Sequence, residues 1–222
     1  MSSRFSRCIL SAVVGVLMLP RTSLFAEGGE GANDASGIAF HYVGRVKLDF
    51  VHNTGVVYGY VTAMSGINTI GALFNGTPSA ATAYLTFRAD IQFQALPGNG
   101  ALGPGQFGVS PTLVQAGSWS IYFTPNPAHD WNDPDTFSKQ GAAVAVLDRP
   151  VEQFSVYPTF SISAGAAVVR SSSPFVIGGQ TVNLHALVPR GLMDVTSGSP
   201  IPLAGSTATS PIFAVAGYSL AR

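Results

Sequence analysis

The sequence predicts an all-β fold: one antiparallel β-barrel or β-sandwich of about nine to eleven strands behind a cleavable signal peptide. Three observations predict it. Apolar residues recur at every second position over long stretches. Those stretches are separated by turn-forming segments drawing on 25 Gly and 15 Pro in 222 residues. Beyond the leader, no amphipathic helical pattern exceeds two turns.

Residues 1–26 read as an address. Arg4 and Arg7 precede an apolar run over 8–19, which Pro20, a short polar stretch and the small Ala26 follow. That run is too short for a transmembrane helix, which needs about 20 apolar residues. Cleavage after Ala26 and export to the periplasm or the exterior are expected. The single cysteine, Cys8, leaves with the leader. The exported chain then has no disulfide, no thiolate ligand and no cysteine nucleophile, and its stability must come from its core. Residues 27–37 (EGGEGANDASG) form a Gly-rich arm, and residues 38–222 are expected to make one domain.

The body is justified strand by strand. Over 38–52, Ile38, Phe40, Tyr42, Val46, Leu48 and Phe50 share one face, and His41, Arg45, Lys47 and Asp49 share the other. A turn at His52-Asn53-Thr54-Gly55 returns the chain along 56–64, a β-branched and aromatic run. Residues 81–95 alternate most cleanly, Leu85, Phe87, Ala89 and Ile91 against Thr86, Arg88, Asp90 and Gln92. A Gly/Pro-rich loop covers 96–108. Trp119, Ile121 and Phe123 mark the next strand, which ends at Pro125, and 126–137 is a loop dense in turn-formers. Residues 142–147 suit a buried strand or a helical turn. Phe154, Val156, Phe160 and Ile162 alternate with serines and other polar residues. Shorter strands are expected near 166–169, 175–177, 181–188 and 212–220, with Gly178-Gly179 as a tight turn. Single helical turns fit 134–140 or 148–153.

Alternation alone does not say which face is buried. A water-soluble barrel turns its apolar set inward, and an outer-membrane barrel turns it toward lipid. Prolines beside several strands (Pro125, Pro158, Pro174, Pro189) and the short later strands favour the soluble form.

Composition limits function. Charged residues are 10% of the chain, with 11 basic and 11 acidic side chains. No basic patch for nucleic acid can be built from so few cations. From residue 38 onward the formal balance is near neutral, and with a mean hydropathy of +0.32 this makes self-association into a homo-oligomer plausible. There is no P-loop, no nucleotide-binding glycine fingerprint on a strand–helix junction and no nucleophile elbow. The four histidines, His41, His52, His129 and His185, include no metal-spaced pair.

The densest polar cluster is 129–135. Asp130, Asn132, Asp133 and Asp135 supply oxygens of the kind Ca²⁺ takes, without EF-hand spacing; the same residues serve as turn-formers. His129, Trp131, Trp119 and Tyr122 are the candidate ligand-binding residues, the aromatics as a platform for a glycan or other flat ligand. The expected function is that of an exported, non-catalytic β-domain binding a small molecule, a glycan or a protein partner. The alternatives are a barrel enzyme using His41, His129, Asp130 or Asp133 as acid–base groups, and an outer-membrane barrel. If strands 38–52 and 81–95 are neighbours, Arg45, Lys47 and Asp49 could pair across to Arg88 and Asp90.

Overall fold

A computed structural model describes residues 37–67, 70–94, 112–156, 160–199 and 201–222. The leader 1–26, nearly all of the Gly-rich arm, the 96–108 loop and Pro158 lie outside the described residues. The strands are β1 (Gly37–Asp49), β2 (Thr54–Met64), β3 (Leu85–Gln94), β4 (Thr112–Phe123), β5 (Ala142–Val156), β6 (Ser161–Ser172), β7 (Phe175–Ile177), β8 (Gln180–Val182), β9 (Leu192–Gly198) and β10 (Ile212–Ala221). Eight of them close a barrel in the order β1-β10-β9-β6-β5-β4-β3-β2, and β7-β8 is a separate hairpin. Every neighbouring pair is antiparallel, including β1 with β10, which seals the ring. The architecture is therefore a barrel and not a sandwich. It is an up-and-down meander with one hairpin inserted between β6 and β9, and closure leaves no edge strand in the ring.

The first half of the ring follows the expected phase except at Ile38, which an irregularity in the β1–β10 register between Ile38 and Phe40 turns outward, leaving it 44% exposed. Phe40, Tyr42, Leu85, Phe87, Trp119 and Ile121 are buried inside, while His41 and Lys47 are exposed outside. Aromatic side chains fill the lumen edge to face. The Tyr42 ring centroid lies 5.1 Å from that of Phe87 and 5.7 Å from that of Trp119, and Phe87 lies 5.6 Å from Trp119. These rings reach toward a wall of small residues. At Gly217 of β10, an added Cβ would stand 2.5 Å from Tyr42 Cζ and 2.5 Å from the Val195 carbonyl oxygen. Only glycine admits the tyrosine there.

One end of the barrel is closed. The β2–β3 connection and the insertion that carries β7, β8 and a one-turn helix, α2 (Leu184–Leu187), bring Leu73, Phe74, Phe175, Ile177, Leu184 and Val188 into the same buried cluster as the lumen. Among the described residues, no helix is long and apolar enough to cross a membrane.

Several expectations are corrected. The first strand stops at Asp49, because the Asp49 carboxylate accepts the Val51 and His52 amides at 2.9 and 3.2 Å and starts the turn. Asn53 completes that turn at φ 53°, a conformation asparagine tolerates. Phe50 therefore leaves the inner row. Residues 81–95 lose their start to a 3-10 turn at Ala80–Thr82. Residues 142–147 are strand, and so are 148–153; Pro150 falls where the β5–β6 register breaks between Asp148 and Val151. The run 181–188 is not one strand: Asn183 accepts the His185 and Ala186 amides and caps α2. Residues 134–140 do contain a helical turn, α1 (Thr136–Lys139).

Candidate functional site

The loop 124–141 docks on the outside of β2 and β3. Phe137 is fully buried there against Tyr58, with ring centroids 5.2 Å apart, and Thr86 Oγ1 donates to the Phe137 carbonyl at 2.8 Å. Trp131 stands among Tyr58, Tyr60 and Phe137 at 5.9, 5.9 and 5.0 Å, and the Arg45 guanidinium lies 4.8 Å over its ring. His129 is buried, with its ring stacked 5.4 Å from Phe137 and Nδ1 2.8 Å from the Thr136 carbonyl. Burial holds the His129 pKa below the usual histidine range, so the ring is held neutral.

The acidic residues of this loop turn toward their own chain. Asp130 accepts the Asn132 amide at 2.9 Å and its side-chain Nδ2 at 3.1 Å. Asp133 accepts the Asp135 amide at 3.0 Å. Asp135 pairs with Lys139 and Arg88, and both contacts hold its carboxyl below the usual range. Among the described residues no group of three or more His, Asp or Glu side chains is placed to hold a metal ion.

The four candidate ligand-binding residues do not share one surface. Trp119 lies in the lumen, 2% exposed. Tyr122 pairs with Thr86 on the outward row of β3 and β4, and Trp131 and His129 belong to the docked loop. Of the proposed acid–base set, His41 sits on the outer wall beside Tyr218, 6.1 Å between rings, while His129 is packed beneath the loop. The charge pairing considered for β1 and β3 as neighbours does not arise, because β2 separates them. Arg88 instead pairs with Asp90 at 3.0 Å on its own strand and with Asp135.

The other half of the ring carries features that sequence reasoning missed. Directly opposed residues of neighbouring strands share a face, and the registers place Leu192, Asp194 and Thr196 of β9 inward beside Ala167, Gly165 and Ser163 of β6. Asp194 is 3% exposed. Its carboxylate accepts the Tyr42 hydroxyl at 2.8 Å and Ser219 Oγ at 3.0 Å, and it stands 3.7 Å from Arg149 Nη2. Thr196 Oγ1 lies against both Tyr42 and Asp194. Arg149 is 8% exposed and lies 5.3 Å over the Trp119 ring. Burial, reinforced by the Asp194 charge, pushes the Tyr42 hydroxyl far above the usual tyrosine range. Trp119 Nε1 is buried without an acceptor.

With polar residues inward, these strands show apolar residues outward. Three rungs run across four strands: Ala166–Met193–Leu220–Ile38, Ala164–Val195–Tyr218–His41, and Ile162–Ser197–Ala216–Val43. Of these twelve positions only His41 and Ser197 are neither apolar nor aromatic, and no permanent charge is among them. Ile38, Ile162, Met193 and Tyr218 are 37–44% exposed, and Val168, next along β6, is 54% exposed. The one legible signal was the segment LMDVTSG, where neither alternate row is wholly apolar or wholly polar.

No family model, no curated protein and no solved structure matches this chain.

Proposed function

We propose that the protein is an exported, non-catalytic β-barrel that acts by binding, and that it binds through the outer wall formed by β6, β9, β10 and β1. One observation carries this reading: the alternation on those strands is inverted, with Asp194, Ser163 and Ser219 buried inside and Met193, Val168 and Tyr218 standing in water. A fold departs from its own inside–outside pattern where function requires it. Charge elsewhere on the outer surface argues for water there: Arg45 and Lys47 farther along β1, beyond the apolar rungs, and Arg88 and Asp90 on β3 interrupt the apolar band that an outer-membrane barrel needs. The acid–base candidates supply no converging pair, which weighs against the enzyme reading.

The test is a photo-reactive amino acid placed at Met193, or as a control at Gln92 on β3, four strands away around the ring. Cross-linked species are expected from position 193 and not from 92; equal yields at both positions would remove the outer wall as the binding surface. Export is checked by cell fractionation and N-terminal sequencing, with Glu27 expected as the new first residue.

A second reading, ligand binding in the lumen, is favoured by Trp119 Nε1, a buried donor without an acceptor on a ring that Arg149 covers. A small acceptor-bearing ligand there would quench Trp119 fluorescence, and a panel of carboxylates and sugars in a thermal-shift assay would reveal it.

A further inference from the structure

We infer that the partner seated on this outer wall is a second copy of the same chain, in a two-fold symmetric dimer. This rests on the proposed binding surface and names its occupant. Charge is the first argument. A two-fold contact sets each group against a copy of the same surface, so a face carrying net charge repels itself. The three rungs contain no Asp, Glu, Lys or Arg. The residues from 38 onward hold eight basic and eight acidic side chains, so the folded body is formally neutral; Glu27, Glu30 and Asp34 of the arm bring the exported chain to −3, a small charge for two copies to bring together.

Area is the second argument. Four strands about 4.8 Å apart, each contributing about seven residues at about 3.4 Å, give a footprint of about 450 Å². That lies within the upper range for the largest apolar patch on a monomer and is more than half of the roughly 800 Å² that each partner contributes to a standard interface. A polar rim supplies the remainder. On the β5 side it begins at the exposed pair of Asp148 and Arg170, 3.2 Å apart. Apolar centre and polar rim are the two zones of a stable interface.

Geometry is the third argument. The wall is a four-stranded antiparallel sheet whose outward side chains alternate between large and small. Met193 and Tyr218 stand near its middle, flanked by Ala164, Ala166 and Ala216. Two such faces can interdigitate at the spacing of stacked sheets, about 10 Å. The charged opposite wall offers no comparable surface, since the 124–141 loop already covers part of it.

Sedimentation velocity of the purified protein between about 1 and 100 μM, beside the Met193→Glu variant, tests this. Met193 is 44% exposed on the outward row of β9, so the variant is expected to keep its circular dichroism spectrum and thermal midpoint. The expected result is a dimer for the native chain and at least a 100-fold weaker dissociation constant for the variant, because each dimer would bury two unpaired carboxylates. In a Cys8→Ser background, cysteine placed at Met193 should form a disulfide between copies under mild oxidation, and cysteine placed at Gln92 should not. A dimer that survives Met193→Glu would overturn the assignment by putting the contact elsewhere. A native monomer that still binds a hydrophobic dye or phosphatidylcholine vesicles, with both lost in Met193→Glu, would overturn the second copy and leave the wall as a docking surface for something else. A native monomer that binds neither would overturn both readings.

Discussion

The Tyr42→Phe substitution isolates the buried polar network, because it removes one oxygen and leaves the ring that fills the lumen. Tyr42 is 3% exposed, and its hydroxyl donates to Asp194 Oδ1 at 2.8 Å. Phenylalanine leaves no large cavity, so the cost is mainly the hydrogen bond. A bond to a charged acceptor contributes about 1.5–3 kcal/mol, more than a neutral pair, and here the carboxylate that loses its donor stays buried. Ser219 still donates to the same oxygen, which points to the middle of that range, about 2 kcal/mol. For a domain of this size, that lowers the thermal midpoint by about 4–8 °C. Urea unfolding followed by tryptophan fluorescence measures it, and an unchanged slope would show that only stability moved. The pH dependence gives a second check. Burial and then Asp194 raise the Tyr42 pKa in the folded state, so the hydroxyl is bound as the neutral form. Its contribution is complete below the unfolded value of about 10 and is lost as pH rises above it. Native protein should therefore lose stability more steeply above pH 10 than Tyr42→Phe does. A cost below about 0.5 kcal/mol, or the same alkaline slope in both proteins, would refute the network as drawn.

Three other outcomes follow from the same geometry. Gly217→Ala should cost at least about 1–3 kcal/mol by overpacking against Tyr42 and the Val195 carbonyl, and Tyr42→Leu in the same chain should return part of it; equilibrium unfolding of both variants checks this. His129, whose pKa burial lowers, is stabilising above its unfolded value of about 6.5, and that stability is lost as pH falls below it. The midpoint should drop between pH 7 and pH 5, and His129→Gln should flatten that slope. Finally, 5 mM Ca²⁺ (added in a thermal-shift assay) should leave the midpoint unchanged, since Asp130 and Asp133 are turned onto their own backbone and Asp135 onto two cations; a rise on adding the ion would establish the 130–135 loop as a cation site.

The long strands were legible because each buries a single face. In β1 and β3 the polar and apolar rows separate, so period two identifies both the strand and its inner side. Turn chemistry was legible at Asn53 and at the helical turn after Pro134. The end of the first strand was not, because it depends on the Asp49 carboxylate capturing the Val51 amide, a local bond that competes with continuation of the ladder. Nor was α2, where Asn183 caps a helix inside an apolar run that also suits a strand. The candidate loop was visible as a dense cluster, but whether its carboxylates face a ligand or their own backbone depends on where the loop docks. Phe137, buried against Tyr58, decides that through a contact between residues 79 positions apart in the chain.

The inverted strands were the hardest to read, for a reason that bears on function. Ile162 resembles an inner residue in every local respect; only its neighbours make it an outer one. Ser161 and Ser163 flank it, and the register sets Ser163 against Thr196, whose inward phase follows from Asp194 meeting Tyr42 and Ser219 across the lumen. Asp194 thus pins the phase of β9, and β9 carries that phase to β6 and β10. A one-residue slip would bring Met193 and Val195 into the core and put Asp194 in water, which local hydrophobicity alone would favour. The hydrogen bonds from Tyr42 and Ser219 and the Arg149 charge oppose that slip. On this view the buried cluster and the open apolar wall are one device: the polar contacts inside keep Met193, Val168 and Tyr218 outside. Replacing Asp194 with leucine should then weaken both at once, lowering stability and, through a shifted β9, abolishing the contact at position 193.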